Sequence, residues 1–510
     1  MHDALYLVVD LGTGGPKVGL VDSRGSLVEH VTDAVTTTFA RDGEATQDAS
    51  EWWDLVLRGA RRLLVDPERA RRVRAIGVTG QYGSTVPVDA NGVPTGPCLT
   101  WMDTRGGPWS RRAVGGPVQG YRPRAALSFI RRSGGAPSTA GADPVGQILF
   151  LEHERPAIVA ATRWYLEPVD YLTMRLTGVA SATHASRLAM WMTDNRHLSE
   201  LRYDPVLLGL VGLSDQRLAP LVPFGTSVGT LRPEVAEQLG LAPSTVVATG
   251  IPDLHAATLG SGAIRLYDTH LALSTTSWIS CPVPSKKTDV VHSIASVPGL
   301  DNDHYLVINN QETGARALAW LRDLLGGPAS APSFSELTAL AATAPAGANG
   351  VRFAPWLAGE RSPADDKGAR GGFANLSVTT TTADLVRAVL EGVAANSAWL
   401  FAHVERFAGR RLDPVRLIGG GAQSDLWCQI YATMLERPVI QVDDPLTAQL
   451  RGVAHVAASA AGDATLAEPP LPRPGRLVEP APGERAIYDA IARELPRRFA
   501  HERRWRRSSR

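Results

Sequence analysis

Asp253 stands alone in VVATGIPDLHAATLGSG, residues 246–262, a carboxylate between an apolar run and a stretch of Ala, Thr, Gly and Ser. Two readings of it are open. Pro252 holds Ile251 extended, and an acid directly before LHAATLG suits a helix N-cap, which alone would explain it. A carboxylate between two lobes could instead accept the hydroxyl proton of a substrate attacking a terminal phosphate, the base's part in kinase phosphoryl transfer. A second acid, Asp10, ends the apolar strand LYLVVD and faces the small-residue turn at 12–15. Similar turns follow strands at 274–277 and 419–421. Such turns expose consecutive backbone N–H groups, and a following helix adds its dipole. One of them is no more than a place where glycine tolerates positive φ; three suggest a polyphosphate site. A carboxylate beside a phosphate cradle is repulsive unless a divalent cation lies between, so Asp10 implies Mg2+, held through water. Lys17, on the return strand, either approaches a phosphate or is a surface lysine.

GQYGS (80–84) and WMDTR (101–105) place an amide, a phenol, an indole, a carboxylate and a guanidinium at first-lobe strand ends. Polyols are recognised by such a mixture of hydrogen-bonding groups with one aromatic wall. Gln81, Tyr82, Trp101 and Asp103 are the candidates, while Arg105 and Thr104 read as members of a satisfied surface network. No Gly-Lys-Ser/Thr sequence forms a Walker A loop, and the first turn lacks the third glycine of a dinucleotide fingerprint.

Two α/β lobes are expected to position these groups. The segment from residue 4 to 28 predicts a β-meander, SEWWDLVLRGARRLLV a helix with Ser50 as N-cap and Trp53, Val56, Leu57 and Ala60 on its packed face, and VRAIGVTGQ a buried strand ending at Gly80. Strand, helix, strand indicates an α/β domain. A second hairpin, THLALSTTSWISCPV, repeats that opening in architecture, which places the lobe boundary near 255–265. A long helix is predicted at about 381–407, and PVRLIGGGAQSDLWCQIYATML reads as strand, glycine turn and helix. The lobes are drawn as 1–260 and 261–463. Residues 464–510 are a Pro/Glu/Ala-rich connector followed by a basic tail that frays from a solvated helix end.

A chain of 510 residues exceeds one hydrophobic core, and with a net charge of +1 it offers no general attraction to nucleic acid or an anionic membrane. Cys98, Cys281 and Cys428 are far apart, without a CxxC pair, so neither a disulfide framework nor a structural zinc is expected. The N-terminus enters a strand without a targeting pattern, and no apolar window approaches transmembrane length. A cytoplasmic setting is the expectation.

Taken in order, DLGTGGPKVGLVD, GQYGS, WMDTRG, DYLTMRLTG, GIPDLHAATLGSGA, PWLAGERSPADDKGARGGFANLS, AVLEGVAANS and LIGGGAQSDLWCQIYA resemble the motifs of the FGGY carbohydrate kinases. The resemblance covers residues 5–462. It implies two ribonuclease-H-like lobes of the actin/hexokinase/Hsp70 ATPase fold with a cleft between them, and ATP-dependent phosphorylation of a sugar or polyol hydroxyl. By the same resemblance Asp253 is the base and Asp10 the metal-linked acid. Thr13, Gly14 and Thr276 belong to phosphate turns, Gly314 lies near a nucleotide-contacting turn, and Gly420, Gly421 and Asp425 match the adenosine segment. The xylulose kinase branch is the most similar, so a ketopentose such as D-xylulose is the expected substrate, other pentuloses, polyols and sugar acids being alternatives; a homodimer is compatible with the family. The chain departs from the pattern in three places. Gly80-Gln81-Tyr82-Gly83-Ser84 replaces Gly-Gln-Met-His-Gly, Thr275 stands at a position usually glycine, and Gly452-Val453-Ala454 replaces a smaller Gly-Ala-Ala. The first puts the sugar in question and the second ATP affinity, which motivates a different reading, a catalytically weak nucleotide-binding regulator.

Overall fold

The computed structural model describes residues 4–468 and 475–508. Strands β1 (Leu5–Gly12), β2 (Gly15–Asp22) and β3 (Leu27–Thr32) form the antiparallel meander expected. On the other side of β1 lies β4 (Val73–Gly80), parallel to it, and then β5 (Ser227–Thr230) and β6 (Val246–Ala248), giving the order β5-β6-β4-β1-β2-β3. Residues 5–9 are all buried, as suits a central strand covered on both faces. Helix α1 (Ala49–Leu63) covers one face with Trp52, Trp53, Val56, Leu57 and Ala60. Its N-cap is Asp48 rather than the expected Ser50: the Asp48 carboxylate accepts the Ser50 backbone N–H, so Ser50 is already inside the first turn. The first lobe ends in α2 (Asp253–Ser261).

The second lobe repeats this plan. The hairpin β7 (Thr269–Leu273) and β8 (Ser277–Ser280) is followed by β9 (Val415–Ile418) parallel to β7, then β10 (Val439–Gln441) and an antiparallel edge, β11 (Arg476–Val478). Helix α3 (Thr382–Ala408) starts in a Thr381/Asp384 capping box and stops at left-handed Gly409. By length and composition alone α3 could cross a membrane, contrary to expectation, but most of it is buried in the second-lobe core. Helix α4 (Asp425–Leu435) follows β9, and α5 (Ala448–Ala460) and α6 (Arg485–Ser508) complete the described chain.

The lobes meet where α2 crosses α5. A Cβ added to Gly260 would lie 1.7 Å from the Ala448 carbonyl oxygen, and one on Gly452 would lie 1.9 Å from that of Ala256. The two backbones therefore touch through glycine. Although it comes late in the chain, α5 packs Val453, Ala454, Val456 and Ala457 on the first-lobe sheet with Tyr6, Val8 and Ala75. This accounts for the bulky Val453. It occupies the space that a side chain at Gly77 would need, since a Cβ there would come within 2.9 Å of Val453 Cγ2.

The expectation of a frayed basic tail is corrected. Tyr488, Ile491, Leu495 and Phe499 form an apolar stripe along α6 that is buried in the second-lobe core, with Phe499 edge-on to Trp356 and Trp399. Arg498 pairs with Glu502, and Arg506 reaches Asp366 at 2.8 Å, so the basic residues cover a docked helix. Residues 469–474 of the expected connector and 509–510 of the tail lie outside the described residues.

Candidate active site

Sheet register brings the two acids together. Asp10 pairs with Lys17 on β2 and with Thr79 on β4, while Pro252 pairs with Gly80, so Asp10 and Asp253 leave the same sheet edge. Lys17 Nζ lies 3.9 Å from Asp10 Oδ2, which draws Lys17 to the acid. Burial raises the Asp10 carboxyl above its ordinary value against the opposing pull of Lys17. Burial, then the charge of Asp10, pushes Asp253 up to about 7, with the Leu254 N–H opposing. The capping reading of Asp253 does not hold: Pro252 is the N-cap of α2, and no side chain caps it. Asp253 is the first helical residue, its charge only favoured by the helix dipole.

The donor chemistry suits a hard divalent cation. Asp10 is a largely buried carboxylate, and its charge already acts on a second one, a repulsion that a cation would relieve. Among the described residues no three His, Cys, Asp or Glu side chains converge as a ligand set. A cation at Asp10 would take its other ligands from phosphate and water.

Beside the acids stands a polar wall. Thr13 Oγ1 donates to Gln81 Oε1 at 2.9 Å and accepts from Trp101 Nε1 at 3.1 Å. Gln47, which sequence reasoning missed, donates to the Thr13 carbonyl at 2.8 Å and accepts from Gln81 Nε2 at 3.3 Å. The Trp101 residue is 44% exposed, which leaves it free to cover a ligand. Burial raises the Tyr82 phenol most; Asp253 and Glu167 add to this and Arg361 opposes it, so Tyr82 lies within the field of both lobes. Asp103 is a correction: it is wholly buried, accepts from Ala45 N, and is clamped by Arg105 at 2.7 Å. Its carboxylate is spent on holding the loop, the role expected of its neighbour Arg105.

In the three turns, the backbone is open where Gly14 and Gly420 stand. A side chain on Gly14 would meet nothing within 4 Å, and one on Gly420 only Leu446. Gly421 sits against Leu273. Gly314 supports the second turn, donating to the Thr275 carbonyl at 2.9 Å, and a Cβ there would lie 2.5 Å from the Thr276 oxygen. Thr275, at the position usually glycine, has no positive φ and so stands there without left-handed backbone strain. Gly419, at φ 90°, passes so close to Leu273 and Ser274 that a Cβ would lie 2.6 Å from Ser274 Oγ, which joins the second and third turns. Asp425 starts α4 behind Ser424, the actual N-cap, and binds Arg476 at 3.0 Å and Gln441 at 3.1 Å.

Second-lobe charges escaped the sequence reading. Glu312 receives Arg361 at 2.9 Å and Lys367 at 3.0 Å, and Glu360 accepts the Arg361 and Glu312 backbone N–H groups and the Asn396 amide. Glu360, Arg361 and Lys367 lie within the quoted motif PWLAGERSPADDKGARGGFANLS but were given no role there, and nothing in the sequence signalled Glu312.

Residues 5–260 match the N-terminal domain of the FGGY family of carbohydrate kinases, and residues 257–461 its C-terminal domain. The xylulose kinase of Staphylococcus epidermidis is 27% identical over 437 residues, spanning 85% of this chain and 83% of that one. A gluconokinase of Bacillus subtilis is 25% identical over 442 residues, with 85% and 83% covered. The structure of a ligand-bound xylulose kinase from Lactobacillus acidophilus superposes with a TM-score of 0.84 at 22% identity, covering 97% of each chain, and so shares the two-lobed fold. With both domains of the family spanning nearly its whole length, and the actin/hexokinase-like fold to match, this chain belongs to the FGGY carbohydrate kinases, enzymes that phosphorylate small sugars with ATP.

Proposed function

We propose that the chain transfers the γ-phosphate of Mg·ATP to a hydroxyl of a ketopentose, with D-xylulose first among the candidates and Asp253 as the general base. The observation that carries this reading is the Asp253 carboxyl, raised to about 7 by burial and by Asp10, at the sheet edge that it shares with Asp10 and Gly80. A base titrating near working pH can take the hydroxyl proton as the nucleophile attacks and release it afterwards. Asp10 would hold Mg2+ through water, with Lys17 reducing the local negative charge; the cation supplies neutralisation of the phosphate oxygens. Thr13, Gly14 and Thr276 with Gly314 behind it present backbone N–H groups to the phosphates, and Gly420, Gly421 and Asp425 face the nucleoside. Closure of the lobes excludes water, which favours sugar over hydrolysis. Gln81, Tyr82 and Trp101 contact the sugar. The free, buried thiols of Cys98, Cys281 and Cys428 suit a reducing compartment such as the cytoplasm.

A second reading, a sugar-acid substrate, rests on Arg361, whose positive charge bears on Tyr82 from the other lobe, and on the likeness to a gluconokinase. ADP release with Mg·ATP, followed over D-xylulose, D-ribulose, xylitol, glycerol and D-gluconate, separates the readings. Xylulose-dependent turnover abolished by Asp253→Asn supports the first. Turnover on gluconate alone would replace it with the second, and full activity in Asp253→Asn would remove the base assignment.

A further inference from the structure

We propose that Glu167 is a positioning residue for the sugar, holding the turn at 81–84 from behind and so fixing where the Tyr82 ring stands in the cleft. The inference rests on the reading that this turn faces the sugar. Glu167 is wholly buried directly before the helix Pro168–Thr177, and its Oε2 accepts the Ser84 backbone N–H at 3.1 Å. Its other oxygen is buried with no hydrogen-bond partner. A carboxyl half satisfied in the interior costs free energy, which the charge of the buried Arg187 offsets only in part. What the acid supplies there is an acceptor turned to the backbone amides of the sugar turn, that of Ser84 by a hydrogen bond and that of Gly83 beside it.

The rest of the wall shows why that amide matters. Gln147, also wholly buried, donates through one amide nitrogen to the Gly83 carbonyl at 3.0 Å and the Thr100 carbonyl at 2.9 Å. Ser84 Oγ accepts the Trp101 N–H at 3.0 Å. The turn bearing Gln81 and Tyr82 and the loop bearing Trp101 are thus stapled into one unit. Glu167 and Gln147 pin it to the helices behind. Gly83, at φ 80°, takes the left-handed turn between them. Neither plug hydrogen-bonds a phosphate turn itself, and the link runs through Thr13 Oγ1 to Gln81 and Trp101, so loosening a plug should disturb sugar binding more than ATP binding.

The test is steady-state kinetics on Glu167→Leu and Glu167→Gln, with D-xylulose as probe, or D-gluconate if that is the panel member turned over. Glu167→Gln keeps an acceptor for Ser84 N–H and should hold the sugar KM within about twofold. Glu167→Leu should raise it about tenfold, with the KM for ATP and kcat at saturating sugar within about twofold. If the leucine variant does not fold, Glu167→Asp withdraws the acceptor by one methylene and should move the sugar KM in the same direction. Tyr82→Phe combined with each variant tests the route: positioning through Tyr82 requires the two effects to be non-additive. Equal rises in both KM values, additive effects, or an unchanged sugar KM in Glu167→Leu and Glu167→Asp would overturn the inference while leaving the sugar wall standing. An unchanged sugar KM in Tyr82→Phe would overturn the wall and the inference together.

Discussion

Replacing Asp253 with asparagine should make the protein both inactive and more stable. The carboxyl is displaced from its ordinary 3.8 to about 7 by burial and by Asp10, so the folded state disfavours the ionised form. That displacement corresponds to about 4 kcal/mol if none of it is screened. Asp253 is half-buried, so solvent screens part of the penalty, and we take about 1–2 kcal/mol as the recoverable part. The sign follows from the direction of the shift. Below about pH 4 the carboxyl is protonated in both folded and unfolded chains and costs nothing; between 4 and 7 the unfolded chain ionises first and stability falls; above about 7 the penalty is complete. Asparagine carries none of it, and α2 loses no cap because Asp253 provides none. Thermal melts at pH 8 should therefore place the first-lobe transition of Asp253→Asn about 2–6 °C above the parent, with roughly half that gain at pH 5.5. The same preparation should turn over sugar about a hundred- to ten-thousandfold more slowly. A variant that melts no higher at pH 8, or gains the same at both pH values, would refute the argument that Asp253 is an electrostatically penalised acid.

In the free enzyme, kcat/KM for sugar should rise about tenfold per pH unit below about 7 and level off above it, as one raised carboxyl deprotonates; a flat profile from pH 5.5 to 8 would exclude Asp253 as the titrating base. Gly452→Ala should lose at least about 3 kcal/mol in a denaturant melt, because its methyl would lie 1.9 Å from the Ala256 carbonyl oxygen and the helix crossing has no slack; a change under about 1 kcal/mol would show that the helices can part. Thr275→Gly should leave the KM for ATP within about twofold, since the residue has no positive φ to relieve, and a large gain in affinity would show strain after all. Removing residues 485–508 should lower the second-lobe melting transition by about 10 °C or more through exposure of the core around Phe499, where an unchanged melt would return the segment to the status of a tail.

Much of the edge that carries Asp10 and Asp253 was legible because backbone pattern alone places it. An apolar run ending in Asp10 and a glycine turn is a strand and its exit, and parallel pairing of β1, β4 and the 251–252 segment then puts Asp253 at the same edge. The hairpin repeat at 269–280 was readable for the same reason. Local detail was less so. Ser50 and Asp48 are both competent caps two residues apart, and only the observed donor decides between them. Asp103 looked like a ligand although its partner, Arg105, lay two residues on in the same quoted motif; loop geometry, not spacing, closed that pair. The stripe Tyr488, Ile491, Leu495 and Phe499 was present in the sequence but obscured by the arginines around it.

Gln47, Gln147, Glu167 and Glu312 are of another kind. Each acts on a residue far along the chain, Gln47 on Gln81 and Glu167 on Ser84, and none sits in a pattern with a period. Their importance exists only once the fold has brought the loops together. Phosphoryl transfer needs acids and amides at strand ends, where topology is strict, so the reaction class can be read from short motifs. In the reading proposed above, choice of sugar depends on where Tyr82 and Trp101 stand, and the loops that carry them are held by buried side chains from other elements. The two kinds of information are therefore written at different ranges in the same chain. For this reason the motif Gly80-Gln81-Tyr82-Gly83-Ser84 points to a turn proposed to face the sugar without specifying the sugar, and the residues behind it are where the remaining part of the answer is to be sought.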